Sequence, residues 1–321
     1  MSLLEVKELS ASFYTKEGRV KAVEQVSFCL EKGEMLGLIG ESGCGKSTLG
    51  LSLLRLIEKP GRIDAGNIMI DGVDIVQLKQ EAMRKVRWKT ISMIPQSAMS
   101  ALNPTAPIGK QILEAIELHM PEIKKQQAIK KVKELLEWVG IDGDRWLHYP
   151  HEFSGGMKQR VAIAMALACD PKVVISDEAT TGLDVLTQAQ VIHLIKRLQA
   201  ELGLSILVIS HDLAMVTAIC ERIAVMYAGH LVEIGPTQKI LCNPLHPYTR
   251  GLLSSNISLD SDGARTSIPG SVPRLINPPP GCHFHPRCSQ GKDICKVSIP
   301  RLRPVKDNEH QVACFFYEEG F

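Results

Sequence analysis

Residues Gly40-Glu41-Ser42-Gly43-Cys44-Gly45-Lys46-Ser47 fit the pattern G-x-x-x-x-G-K-S, between an apolar run, Met35 to Ile39, and a helix-forming stretch, Lys46 to Ile57. No other feature constrains the fold as strongly. Such an octet works only when a buried strand delivers it and a helix leaves it. The glycines turn backbone amides toward a ligand, and the helix N-terminus faces the same point. Amides and helix dipole together stabilise phosphate charge. In this reading Lys46 reaches the β- and γ-phosphates and Ser47 ligates Mg2+. Glu41, Ser42, Gly43, Cys44, Gly45 and Thr48 complete the cradle. A chance glycine-rich turn is the alternative, and the strand–loop–helix setting argues against it.

Short apolar runs at Met35 to Ile39, Thr90 to Ile94, Lys172 to Ser176 and Ser205 to Ser210 alternate with helical patterns such as Thr187 to Leu202. That alternation predicts an α/β core with a parallel sheet covered on both faces. The first thirty residues predict an antiparallel flap, Leu3 to Leu9 and Ala22 to Leu30, around a Lys16-Glu17-Gly18 turn. A helical insertion spans about 97–165, with Ile108 to Leu118 and Glu122 to Val139 its clearest helices. The second carries five lysines. Ile129, Val132, Leu136 and Val139 share one face, so the lysines read as a solvated face rather than a nucleic-acid patch.

Net charge is +2, too weak a field to argue for a nucleic-acid partner. The longest apolar run, Val161 to Cys169, is far below the roughly 18 residues of a membrane span. The start lacks the basic-then-apolar pattern of a secretory signal. A soluble cytoplasmic chain is the expectation, and any membrane role would run through a partner. Ten of the 18 prolines fall after residue 240, where regular structure is discouraged. We therefore divide the chain into 1–240, a large α/β domain, and 241–321, a small irregular one.

Asp177 follows an apolar strand and is placed to hold Mg2+. Glu178, next to it, is placed to polarise an attacking water, the alternative being a simple strand-end residue. Gln96 and His211 also end apolar strands, where ligands of open α/β sheets gather, but taken singly each reads equally well as a polar loop residue. Ser154 is a good N-cap, and Gly155-Gly156 open a helix running to about Ala168. That terminus offers a hydroxyl, free amides and a positive dipole end to a phosphate.

Gly40–Ser47, Gln96, Ser154-Gly155-Gly156, Asp177-Glu178, Gly182-Leu183-Asp184 and His211 occur in the order and separations of the ATP-binding cassette of ABC transporters, which residues 1 to 240 resemble. The resemblance implies a P-loop NTPase (RecA-like) core with an antiparallel β subdomain and a helical signature subdomain. It implies that two cassettes close head to tail around two ATP molecules, Ser154 of each completing the other's site. Gln96 then contacts Mg2+ and couples to the membrane partner, Asp184 lies in a loop crossing the dimer, and His211 is the switch histidine. Phe13 falls at the usual adenine-stacking position, with Tyr14 as runner-up. Met157 and Ala179 depart from the commonest family residues without removing a reacting group.

His246-Pro247-Tyr248-Thr249-Arg250, Ile268 to Pro273 and the segments around Cys282 and Cys288 resemble the C-terminal extension of dipeptide and oligopeptide importer ATPases, as does Ser100 to Pro104. The same group includes nickel importers. It implies two permeases, a second ATPase or a second copy, an extracytoplasmic binding protein, and a place on the cytoplasmic face of the cell membrane.

Cys282, Cys288, Cys295 and Cys314 are spaced C-x5-C-x6-C-x18-C. In a reducing compartment they read as metal ligands rather than disulfides. Four thiolates suit zinc or an iron–sulfur cluster, and His283 and His285 are spare donors. The family resemblance favours 4Fe-4S, with Zn2+ as the alternative, in a structural role; an unmetallated, disordered tail is the bland reading. Cys29, Cys169 and Cys220 read as packing residues. Cys44, near a helix N-terminus and Lys46, is expected to have a lowered pKa and to react with thiol reagents. A soluble cassette protein of DNA repair or translation would carry two cassettes or long coiled-coil insertions, which are not seen here. A scaffold with a vestigial nucleotide site would not need intact Lys46, Asp177, Glu178 and His211.

Overall fold

The computed structural model describes residues 2–257, 268–305 and 307–317. The chain packs as two compact units, each discontinuous in sequence. One combines the residues up to Leu4 with Leu30–Glu34 and Ile70–Val208; the other combines Glu5–Cys29, Met35–Met69 and the chain from Ile209 onward.

The unit that contains the phosphate loop is built on two sheets. The expected flap is present and longer than predicted: Ser2–Thr15 and Gly18–Glu31 are neighbouring strands joined by two residues, which only an antiparallel pair allows. Val6, Leu9 and Ala11 on the first, and Val26 and Phe28 on the second, are buried, the alternation of a half-covered sheet. A third strand, Gly61–Ile70, lies beside the first. The other sheet runs Arg303–Val305, Asp307–Val312, His230–Pro236, Arg222–Tyr227, Met35–Ile39. Met35–Ile39, buried throughout, is parallel to Arg222–Tyr227, with Leu36 opposite Arg222. The remaining pairs are antiparallel.

Residues after 240 are knitted into this unit by hydrogen bonds as well as by strand pairing. Glu233 is fully buried. It accepts from the backbone N–H of Leu245 at 2.7 Å and of His246 at 2.9 Å, and lies 2.8 Å from His310 Nε2. A carboxylate survives in an interior only when its lone pairs are satisfied in this way.

In the other unit Ser205–Ile209, Val173–Asp177 and Ile91–Ile94 lie in that order, the last two parallel with Ile91 opposite Val173. The helical insertion forms Ile108–His119, Lys125–Trp138 and Gly155–Ala166. Ala128, Val132, Leu135 and Leu136 are buried along the middle helix, while Lys133 reaches Asp144 at 2.7 Å on its solvated side. That helix starts three residues later than predicted, because Pro121-Glu122-Ile123 form a turn ahead of it. Among the described residues no helix is long and apolar enough to cross a membrane.

Candidate active site

The buried strand Met35–Ile39 ends at Gly40, and the helix Lys46–Leu53 begins six residues later, as the octet demands. Gly45 shows why the loop needs glycine. Its φ is +111°, and a Cβ there would sit 2.0 Å from the carbonyl oxygen of Ala22. Lys46 is buried and donates from Nζ to the carbonyls of Gly40 at 2.8 Å and Glu41 at 3.1 Å. The cation is thus parked on its own loop's oxygens, a polar perch that a phosphate can replace. Ser42, Gly43 and Ser47 are exposed at the mouth. His211 is exposed just after Ser205–Ile209, and Asp212 beside it caps the next short helix by accepting from Met215 N at 3.0 Å.

In the other unit, Asp177 is buried at the end of Val173–Asp177, and Glu178 follows at φ +46°. A non-glycine residue in the left-handed region carries strain, a mark of functional positions. Gln96 Nε2 donates to Glu178 Oε2 at 2.9 Å, and Thr181 Oγ1 donates to the same oxygen at 3.2 Å. Two strand ends therefore bring two independently selected residues into direct contact. Thr181 was not selected from the sequence; a hydroxyl three residues past a strand-end acid has no distinguishing local signal.

Ser154 caps Gly155–Ala166, its Oγ accepting from Met157 N at 3.3 Å. The helix ends at Ala166, two residues short of the prediction. Ser154 and Gly155 are exposed. A Cβ on Gly156 would meet Thr187 Cγ2 at 2.3 Å, so this glycine permits close packing against the next element. Asp184 caps that element, Val185–Leu202, accepting from Thr187 N at 3.0 Å and Thr187 Oγ1 at 2.6 Å. The two helix starts, one bearing Ser154 and the other Asp184, are neighbours. The apolar side chains beside Asp184, Val185 and Leu186, are 82% and 71% exposed.

The family described as "ABC transporter" matches residues 23–181, and that described as "Oligopeptide/dipeptide transporter, C-terminal region" matches residues 232–295. The chain is 47% identical to the oligopeptide transport ATP-binding protein OppD of Bacillus subtilis, over 96% of this chain and 87% of that one. It is 40% identical to the dipeptide transport ATP-binding protein DppD of Caldanaerobacter subterraneus, over 99% and 98%. The chain belongs to the ABC transporter ATP-binding family, in its dipeptide and oligopeptide transport branch. Solved cassettes agree. One, a dimer in a post-hydrolysis state bound to ADP and Pi, is 26% identical with a TM-score of 0.63, covering 73% of this chain and 98% of that one. Another, cbiO1 of Clostridium perfringens from the cbiONQ transporter complex, is also 26% identical with a TM-score of 0.64, covering 75% and 91%.

Cys44 is fully buried, and burial pushes its thiol pKa up, outweighing the pull of Lys46. The expected activated thiol is therefore corrected to an inert packing residue. Cys169 and Cys220 are buried as expected, whereas Cys29 is only half-buried.

The two candidate stacking rings differ. Tyr14 is engaged: its hydroxyl donates to Asp64 Oδ1 at 2.8 Å, and the Arg62 guanidinium lies 4.2 Å from the ring centroid. Phe13 is half-buried over Gly61, where a Cβ would come within 2.7 Å of its ring. No polar tether holds Phe13, so it is the freer platform.

Sequence reasoning also missed residues that hold the phosphate loop from outside. Arg287 grips the Glu41 carboxylate with two nitrogens, at 2.7 and 3.0 Å. Tyr248 Oη accepts from Glu41 N at 2.8 Å, and Gly229 N donates to Cys44 O at 2.9 Å. Arg274, Leu275 and Ile276 share an open cleft with Ser42, Gly43 and Thr15, fixed there by a bond from Lys21 N to Leu275 O at 3.1 Å. Arg287 adjoins Cys288 in the segment that resembles the importer extension, but an ion pair with a residue 246 positions away leaves no local trace in the sequence.

None of the nine cysteines forms a disulfide. Cys282, Cys288, Cys295 and Cys314 line one small cavity with Phe284 and Phe315. Burial pushes Cys282 up to about 12 and Cys314 up to about 11, so without a cation these thiols hold their protons. A bound metal reverses that preference. Among the described residues, no three of these sulfurs come within 4.8 Å of one another. A single tetrahedral zinc with Zn–S near 2.3 Å would draw thiolates to about 3.8 Å.

Proposed function

We propose that the chain is the energy-coupling ATPase of a membrane importer of di- or oligopeptides. The observation that carries this reading is its identity of 40–47% with dipeptide and oligopeptide transport ATP-binding proteins over nearly its whole length, extension included. Residues 1–240 act as the cassette and 241–321 as the extension. Lys46, with the amides of Gly40 to Ser47, binds the phosphates; Phe13 stacks on the base, with Tyr14 behind it in the polar network. Ser47, Gln96 and Asp177 would be the residues to hold Mg2+, which would neutralise phosphate charge. Glu178 accepts the proton of the attacking water, held in place by Gln96 and Thr181, and His211 senses the terminal phosphate.

The second half of each site comes from a neighbouring cassette, either a second copy or a paralogous ATPase. Its Ser154, Gly155 and Gly156 face the terminal phosphate, and Asp184 lies at the junction. The exposed Val185 and Leu186 beside Asp184 support this: an apolar pair standing in water is a surface waiting for cover. Two permeases and an extracytoplasmic binding protein complete the importer, with the chain on the cytoplasmic face of the membrane. The four extension cysteines would hold a 4Fe-4S cluster as a structural staple, a reading supported by the cavity they share and by the resemblance of their segments to the importer extension.

Co-purification with its permeases and reconstitution in vesicles tests the function. ATP hydrolysis stimulated by a peptide-loaded binding protein, and not by one loaded with nickel, is expected. Stimulation by the metal alone would replace the peptide reading with the nickel one. Iron and sulfide at about four per chain are expected in anaerobically purified protein; zinc at one per chain without colour would replace the cluster.

A further inference from the structure

Away from the nucleotide and the four cysteines, three side chains from distant parts of the sequence converge. Glu24 lies on Gly18–Glu31, His230 opens His230–Pro236, and His283 follows Cys282. One ligand atom from each falls within 4.8 Å of the other two, the one such His/Cys/Asp/Glu trio among the described residues. We propose that Glu24, His230 and His283 form a divalent transition-metal site, best suited to Zn2+.

Two details set the trio apart from an ordinary ion pair. First, Glu24 Oε2 and His230 Nε2 are buried without a hydrogen-bond partner. They stand 3.5 Å apart, an ion pair at the long limit of a hydrogen bond that leaves neither atom well satisfied. The other Glu24 oxygen is taken by Lys21 Nζ at 2.7 Å, so Oε2 alone points into the site. Second, His283 Nδ1 lies 2.8 Å from the carbonyl oxygen of Ala228. A carbonyl can only accept, so Nδ1 carries the hydrogen and Nε2 presents its lone pair. Metal-binding histidines are oriented by this kind of second bond. The two imidazoles meet edge to face at 4.6 Å between centroids, and the cavity beside them is walled by Tyr227, Val232 and Phe284.

Two imidazoles and one carboxylate oxygen suit zinc, with a water as fourth ligand. Ligand distances of about 2.0–2.1 Å would draw the three atoms to about 3.3 Å, a small inward movement. The ion would pin the flap to the extension close to the phosphate loop. Glu24 N donates to Gly229 O at 2.9 Å, and Gly229 N to Cys44 O at 2.9 Å.

The test uses the full chain with its cysteine site as purified, titrated with Co2+ and Zn2+ against a competing chelator. One equivalent of cobalt with the ligand-field bands of a nitrogen and oxygen site, free of thiolate-to-cobalt charge transfer, is expected. Glu24→Gln and His230→Ala should weaken that uptake at least about tenfold, leaving iron and thiolate signals of the cysteine site unchanged. Zinc should raise the melting temperature of the wild type above its own value in chelator and leave that of Glu24→Gln where chelator leaves it. Absence of the nitrogen and oxygen bands, or uptake unchanged in both variants, would overturn the site.

Discussion

The strand Met35–Ile39 and the chain after residue 240 belong to one compact unit, yet opposite means hold them. The strand is apolar and buried from end to end, and its partners are chosen by burial alone. The extension is anchored by polar pins: Glu233 under Leu245 and His246, Arg287 on Glu41, Tyr248 on the Glu41 amide. Burial gives a rigid platform that delivers the phosphate loop. The pins then fix that loop from its outer side. Geometry critical to phosphate binding is thus shared between a core that any hydrophobic scan finds and contacts that no local pattern reveals.

If the strand ends carry the chemistry and the extension only braces it, Glu178→Gln should have the largest effect. Turnover should fall about 10²- to 10⁴-fold while ATP binding persists, as a steady-state ATPase assay beside a nucleotide-binding titration would show. Near-normal turnover would move the reacting base elsewhere. Glu233→Gln comes next. It leaves buried donors facing an amide that cannot satisfy them all, and should cost about 3 kcal/mol in denaturant unfolding. A loss as small as that of a surface change would mean the extension is held by its apolar contacts after all.

Arg287→Ala sharpens the contrast further. Stability should fall by about 2 kcal/mol, since Glu41 keeps some access to water, and the Kd for ATP should rise several-fold as the loop loses its outer grip. Unchanged affinity would show that the loop needs no brace. The smallest effect lies in the flap. Partial burial alone would raise the Asp64 carboxyl, but hydrogen bonds from Ser12, Tyr14, Arg62 and Arg19 pull it down to about 2 from 3.8. Its contribution is therefore present above the unfolded value and is lost as pH falls through 2. Urea melts at decreasing pH should show a slightly shallower acid loss for Asp64→Asn than for the wild type.

The same contrast explains what the sequence made legible. Met35–Ile39, Val173–Asp177 and Ser205–Ile209 were visible because strands buried along their whole length leave short clusters of β-branched and aliphatic residues. Ser154 and Asp184 were visible because caps are local. Gly61–Ile70 was missed because its first half, Gly-Arg-Ile-Asp-Ala-Gly, has the composition of a turn; the Arg62–Asp64–Tyr14 network holds it in the sheet instead. Arg303–Val305 and Asp307–Val312 were missed because a proline-rich stretch with charges does not announce strands. Asp307–Val312 forms by pairing with the edge of His230–Pro236, and Arg303–Val305 by pairing in turn with Asp307–Val312. Cys44 misled because proximity to Lys46 is readable and burial is not.

The claim on which the functional account rests is that one cassette supplies only half of each hydrolytic centre. Light scattering of the purified Glu178→Gln chain with MgATP, alone and with its partner ATPase, tests it most directly. The account predicts an ATP-dependent dimer that adding Ser154→Ala weakens strongly, and wild-type turnover that falls on dilution. A monomer hydrolysing ATP at a rate indifferent to dilution and to Ser154→Ala would contradict it.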